Sequence, residues 1–280
     1  MKNHKIIIAN WKSNPASSAE ALRLAKESVK GAPRNVDVVL CPPFVFLESI
    51  SKTLNPSAKG GSLPVRQAGA SGGKSYILSP QLGAQDIFSE PNGPYTGEVS
   101  AEQLKRLGVS YVIVGHSERR RLLHETDEMV NKKVIAALRA GITPILCVGE
   151  TAEMKKRGIA ASKRFVKSQL VKSLRGVSSI IGHQSLVITY EPVWAISTAQ
   201  GKSKNNADTP ENASTMIRFI KRELRTYHLG PKTHFIYGGS VNPKNAKAFL
   251  RKPEIEGALV GGASLKPKEF RAIIKSASRI

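Results

Sequence analysis

Cysteine is scarce in this 280-residue chain, which has only Cys41 and Cys147. Two thiols cannot build a disulfide framework, and both lie in apolar runs, so the expected setting is a reducing one, the cytoplasm. Long apolar runs are missing too. No stretch approaches the roughly 18 residues of a membrane span. The apolar stretch 6–9 behind Lys2, His4 and Lys5 is too short for the core of a secretory signal. Aromatic residues make up 6% of the chain, little material for a surface that stacks on nucleic-acid bases. Acid is the remaining shortage: 21 Asp and Glu face 43 Lys and Arg, a formal charge of +22. Such an excess makes a well-solvated cationic surface and draws anions, whether nucleic acid, membrane or phosphorylated metabolites.

What the chain does have is regular alternation. Short apolar runs are expected as strands at 5–10, 36–41, 81–85, 111–115, 143–148, 186–191, 233–237 and 258–261. Runs such as Ile6-Ile7-Ile8 and Val112-Ile113-Val114 show no polar alternation. Strands of that kind are buried on both faces, as in parallel sheets covered by helices. The segments between them carry helix punctuation. Ser100-Ala101-Glu102-Gln103 reads as a capping box closed by Gly108, and Thr209-Pro210-Glu211 as an N-cap with proline at the first helical position. Eight strands alternating with helices predict an α/β fold, a (β/α)8 barrel with eight parallel strands and outer helices. A doubly wound open sheet is the structural rival. The whole of 1–280 is expected to form one barrel domain. Segments 55–79 and 199–208, rich in Gly, Ser, Lys and Asn, read as extended surface loops.

In such a barrel the reacting groups lie at the C-terminal ends of the strands. The first strand ends in Asn10-Trp11-Lys12, where an ammonium can hold an anion or a developing oxyanion. The fourth ends in Gly115-His116-Ser117-Glu118-Arg119, offering an imidazole as proton donor or electrophile. The sixth ends in Tyr190-Glu191-Pro192, and a carboxylate on a rim of basic and apolar groups suits a general base. The seventh and eighth end in Gly238-Gly239-Ser240 and Gly261-Gly262-Ala263-Ser264. Two glycine pairs on consecutive strand ends read as a phosphate cup, because glycine lets main-chain N–H groups approach an anion closely.

Together with Tyr95-Thr96-Gly97-Glu98-Val99-Ser100 and Cys147-Val148-Gly149-Glu150, these segments resemble the triosephosphate isomerase family, in family order along almost the whole chain. The resemblance implies interconversion of D-glyceraldehyde 3-phosphate and dihydroxyacetone phosphate with no metal or organic cofactor. It assigns catalysis to Glu191 as base, neutral His116 as electrophile, and Lys12 and Asn10 as stabilisers. Phosphate binding falls to Asn10, Lys12, Ser197, Ser240, Gly261 and Gly262, and support to Glu118, Cys147 and Glu150. It also implies a homodimer, with Thr96, Gly97, Glu98 and Arg119 at the partner contact. The chain departs from the family in its lid: Ala195-Ile196-Ser197-Thr198-Ala199 stands where the family has two glycines, and the segment after it is longer.

One alternative of another class is a cationic barrel with weak or lost isomerase activity that binds nucleic acid or an anionic surface. The high charge and the altered lid motivate it, but every reacting side chain is present, and specific nucleic-acid binding is not expected. An aldolase would need a Schiff-base lysine on the sixth strand, where Glu191 stands.

Overall fold

The computed structural model describes residues 4–54, 80–182, 184–196, 207–227, 229 and 233–280. Eight parallel strands close in sequence order into a barrel. They are β1 (Lys5–Asn10), β2 (Val36–Cys41), β3 (Gln81–Ala84), β4 (Tyr111–Val114), β5 (Thr143–Val148), β6 (Leu186–Tyr190), β7 (Thr233–Tyr237) and β8 (Gly257–Val260). The ring closes where Ile6 to Ala9 pair with Gly257 to Val260.

Helices alternate with the strands: α1 (Ser18–Val29), α2 (Leu47–Leu54), α3 (Ala101–Arg106), α4 (Ser117–Leu122), α5 (Asp127–Arg139), α6 (Ala152–Lys156), α7 (Ile159–Ser173), α8 (Ser178–Ile181), α9 (Pro210–Glu223), α10 (Ala246–Leu250) and α11 (Pro267–Ser278). Their starts follow the punctuation. Ser100 accepts from the N–H of Gln103 while the Gln103 side chain accepts from the N–H of Ser100, a complete capping box. Thr209 caps α9 through the N–H of Asn212, with Pro210 in the first turn.

The core has two shells, and the strands' period of two separates them. Ile6, Ile8, Val39, Cys41, Ile113, Ile145, Cys147, Val187, Ile236 and Leu259 fill the barrel. Their neighbours, including Ile7, Ala9, Leu40, Val112, Leu146 and Ile188, face outward into a larger cluster with the helices. Each such branched aliphatic side chain, fully withdrawn from water, stabilises the fold by about 1.5–3 kcal/mol. No helix among the described residues is long and apolar enough to cross a membrane. The expected loop at 55–79 and most of the one at 199–208 lie outside the described residues.

Candidate active site

Counting inward positions along the strands already places the mouth of the barrel. On β1, Ile6 and Ile8 point in, so Asn10 is next. On β6, Val187 points in and the count runs through Thr189 to Glu191; on β8 it runs from Leu259 to Gly261. One cleft of about 230 Å³ is lined by Asn10, Lys12, His116, Glu191, Ser240, Gly261 and Gly262. Ser197 lies outside the described residues.

Glu191 and His116 satisfy each other. The Nε2–H of His116 donates to Glu191 Oε1 at 2.8 Å, and the main-chain N–H of Ser117 donates to Oε2 at 3.0 Å. His116 caps α4, and its Nδ1 accepts the N–H of Glu118 at 3.2 Å. A ring nitrogen that accepts carries no proton, so this bond selects the tautomer with hydrogen on Nε2, toward the cleft. Burial works against the imidazolium, but the charge and hydrogen bond of Glu191 outweigh it, and the pKa of His116 lies above its ordinary value. That balance rests on Glu191. Once the carboxylate turns to another partner, burial and the Lys12 charge oppose protonation, and of the neighbours only Glu118 favours it.

Lys12 is held from several sides. Its Nζ meets Glu118 Oε1 at 2.5 Å, its N–H donates to Asn10 Oδ1 at 3.0 Å, and its carbonyl accepts from Gln85 Nε2 at 2.8 Å. The backbone at Lys12 is left-handed, φ 54°. For a residue with a Cβ, that conformation persists only where the surroundings enforce it, and it costs about 1–3 kcal/mol.

Glu191 is supported from below. A Cβ on Gly149 would come within 1.8 Å of the Glu191 carbonyl oxygen, so the ends of β5 and β6 approach as closely as glycine allows. The buried Glu150 accepts from Trp194 Nε1 at 2.8 Å and from the Tyr190 hydroxyl at 3.1 and 3.2 Å. Cys147 is fully enclosed, and burial together with the Glu191 charge pushes its thiol well above the usual range, which keeps it neutral. Across the mouth, the N–H of Ser240 donates to the Ala195 carbonyl at 3.2 Å.

Arg119 serves an internal network. It bonds Asp86 at 2.8 Å and Glu125 at 2.7 Å, and the buried Lys133 bridges the same two acids. Thr96, Gly97 and Glu98 are exposed on the loop between β3 and α3. That loop is braced by Phe88 against Tyr95, ring centres 4.8 Å apart, and by Asn92 on Glu102 at 2.8 Å.

The sequence reasoning gave no individual role to Gln85, Tyr190, Trp194, Tyr237 or Asp208. Gln85 carried a readable signal, being the next inward position after Gly83 on β3. The others are defined by contacts between strands far apart in sequence. Among the described residues, no group of three or more His, Cys, Asp or Glu is arranged to hold a metal ion.

A closed parallel barrel whose mouth gathers a carboxylate, an imidazole and an ammonium beside two glycine turns defines a (β/α)8-barrel enzyme. The family profile described as "Triosephosphate isomerase" matches residues 5–277. The triosephosphate isomerase of Carboxydothermus hydrogenoformans is 41% identical over 274 residues, covering 96% of this chain and 97% of the relative. That of Dictyoglomus thermophilum is 42% identical over 275 residues, 97% and 99% of the two chains. The chain belongs to the triosephosphate isomerase family.

Proposed function

We propose that this chain interconverts D-glyceraldehyde 3-phosphate and dihydroxyacetone phosphate through an enediolate, with Glu191, His116 and Lys12 as the reacting side chains. The observation that carries the assignment is the 2.8 Å contact between Glu191 Oε1 and His116 Nε2 at the mouth. It supports the reading because the two groups that the reaction needs, a carboxylate base and an Nε2–H donor, lie side by side at the mouth.

Glu191 removes the proton next to the carbonyl, and negative charge grows on oxygen. The Nε2–H of His116, released from Glu191, polarises that oxygen and passes a proton between the two oxygens. Lys12 and Asn10 stabilise the same charge in a site shielded from water, where fixed charges count for more than in solvent. Glu118 aligns Lys12, while Glu150 and Cys147 back the base. The N–H groups of Ser197, Ser240, Gly261 and Gly262 hold the phosphate; Ser240 first exchanges its bond to Ala195 for the ligand. No cofactor is required. The whole chain acts as one barrel domain, in the cytoplasm, as a homodimer whose exposed Thr96, Gly97 and Glu98 enter the partner, with Arg119 fixing the adjoining segment.

A coupled steady-state assay with glyceraldehyde 3-phosphate tests the reading. Glu191→Asp withdraws the carboxylate by about 1 Å and should lower kcat on the order of 10²-fold. Unchanged turnover in that variant removes Glu191 from the role of base.

A further inference from the structure

The reaction needs the Nε2–H of His116 at a fixed point of the mouth, and the side chain that pins its turn lies outside the reacting set. β4 stops at Val114, and Gly115 leaves the sheet in a left-handed conformation, φ 70°. His116 follows directly, so the peptide between them sets where the imidazole starts. Arg120 grips that turn. Its Nε–H donates to the Gly115 carbonyl at 2.7 Å, and its main-chain N–H donates to the His116 carbonyl at 3.1 Å. The same guanidinium reaches α5, where Nη1 donates to Asp127 Oδ1 at 2.6 Å. Both ends of this bridge are shielded, with side-chain exposures of 16% for Arg120 and 15% for Asp127.

Two further observations set this arginine apart from a filler of space. Its Nη2 is buried with no hydrogen-bond partner among the described residues. An orphaned buried donor works against stability, so packing alone does not account for a guanidinium here. Gly115 is wedged as well: a Cβ there would lie 2.9 Å from Arg120 Nη2 and 3.0 Å from both methyl carbons of Val130 on α5. The turn before His116 is therefore confined between α4 and α5, and the planar fork of Arg120 joins the two. A lysine could carry charge to Asp127, but one compact ammonium lacks the fork that spans both acceptors.

We propose that Arg120 is a positioning residue of the isomerase reaction: its bridge from Asp127 to the Gly115 carbonyl fixes the turn that aims His116 Nε2 at the substrate oxygen. The inference rests on the role of His116 assigned above and adds a residue to it. Arg120 is not among the residues that line the cleft, and it acts through the backbone at 115–116. Its neighbour Arg119 serves different partners, Asp86 and Glu125.

The test compares wild type with Arg120→Lys, Arg120→Met, Asp127→Ala and the Arg120→Met/Asp127→Ala double variant. It reads KM and kcat with glyceraldehyde 3-phosphate, the melting temperature, and the proton resonance of His116 Nε2–H, assigned by its loss in His116→Gln. Arg120→Met should lower kcat about 10-fold while KM stays within about twofold, because the imidazole is misplaced and the phosphate cup is not. Arg120→Lys should regain most of the lost melting temperature through Asp127, yet its kcat should stay within about threefold of the Met variant. Asp127→Ala should slow turnover less, and the double variant should lose no more than Arg120→Met alone. In every slowed variant the Nε2–H resonance should shift or broaden. Wild-type kcat in Arg120→Lys, or an unmoved His116 resonance in a variant that has slowed, overturns the proposal. Should Arg120→Met fail to fold, the Lys and Ala single variants decide by the same two readings. The resonance needs no turnover, so an inactive wild type would sink the reaction assignment while the spectra still judge whether Arg120 holds His116.

Discussion

At Asp208 burial and hydrogen bonding pull in opposite directions. A carboxyl raised from 3.8 to about 6 holds its proton more tightly in the folded state than in the unfolded one. Between those values the native protein binds more protons, so stability falls as pH rises from about 4 to about 6 and stays lower above. The displacement corresponds to at most about 3 kcal/mol. Asp208→Asn removes that cost. The variant should be more stable than wild type in urea melts at neutral pH, by up to about 3 kcal/mol, with the difference vanishing near about pH 4. Equal stability at neutral pH would mean that Asp208 is not under strain. Glu191, His116 and Lys12 could be picked out in the sequence because each sits at a strand end beside its own motif. Asp208 could not, since the distant groups that share its electrostatics come from β6, β7, α6 and the end of β5, and nothing in its immediate sequence announces them.

Strands and helices follow the sequence pattern closely, and the small differences fall where the chemistry is. The apolar runs at 5–10, 36–41, 143–148 and 233–237 form strands over those same residues. The strands expected to reach Gln85, Gly115 and Glu191 stop one residue earlier, at Ala84, Val114 and Tyr190. Gly115 turns out of the sheet with φ 70°. Glu191 still donates its N–H to Val148 but sends its side chain across the mouth. β8 begins one residue sooner than its apolar run, at Gly257, where a Cβ would come within 1.9 Å of the Ile6 carbonyl oxygen. Read alone, a glycine suggests a break in a strand; here it admits a close approach that only the closed barrel reveals. The same contact logic gives a prediction at β5. Gly149→Ala puts a methyl into the Glu191 carbonyl, and main chain cannot rotate away as a side chain can. The cost should be about 1–3 kcal/mol of stability or more. In the protein that does fold, kcat should fall with the misplaced carboxylate, while KM is held by the distant phosphate cup. A Gly149→Ala enzyme with wild-type kcat and melting temperature would show that β5 and β6 have more room than the structure gives them.

The whole molecule poses a problem of like charge. Each copy carries +22, so a homodimer must overcome repulsion between its halves. In the proposed homodimer, the surface that would offset it is one edge of the mouth. Val45, Tyr95 and Leu122 with Leu123 follow β2, β3 and β4, three adjacent strands, and are 79%, 41%, 61% and 57% exposed. Isolated surface leucines are ordinary, but apolar side chains exposed on three neighbouring loops are what an association surface presents. The motif around Thr96 resembles a partner contact; the apolar edge did not show in the sequence, because its members are spread over more than seventy positions and come onto neighbouring loops only when the strands align. The two forces predict an unusual salt dependence. Added salt shortens the range of charge–charge repulsion to about 10 Å at 0.1 M while leaving apolar burial largely intact. Sedimentation equilibrium should therefore find the dimer tightening as NaCl rises from about 20 mM to about 0.3 M. Val45→Asp, which puts an unpaired carboxylate into the apolar edge, should loosen it at every salt concentration. A cationic surface built for polyanions would behave in the opposite sense, its complexes weakening steeply over the same range. If the dimer instead falls apart as salt is added, ion pairs across the interface hold it, and the apolar edge is not what brings the two copies together.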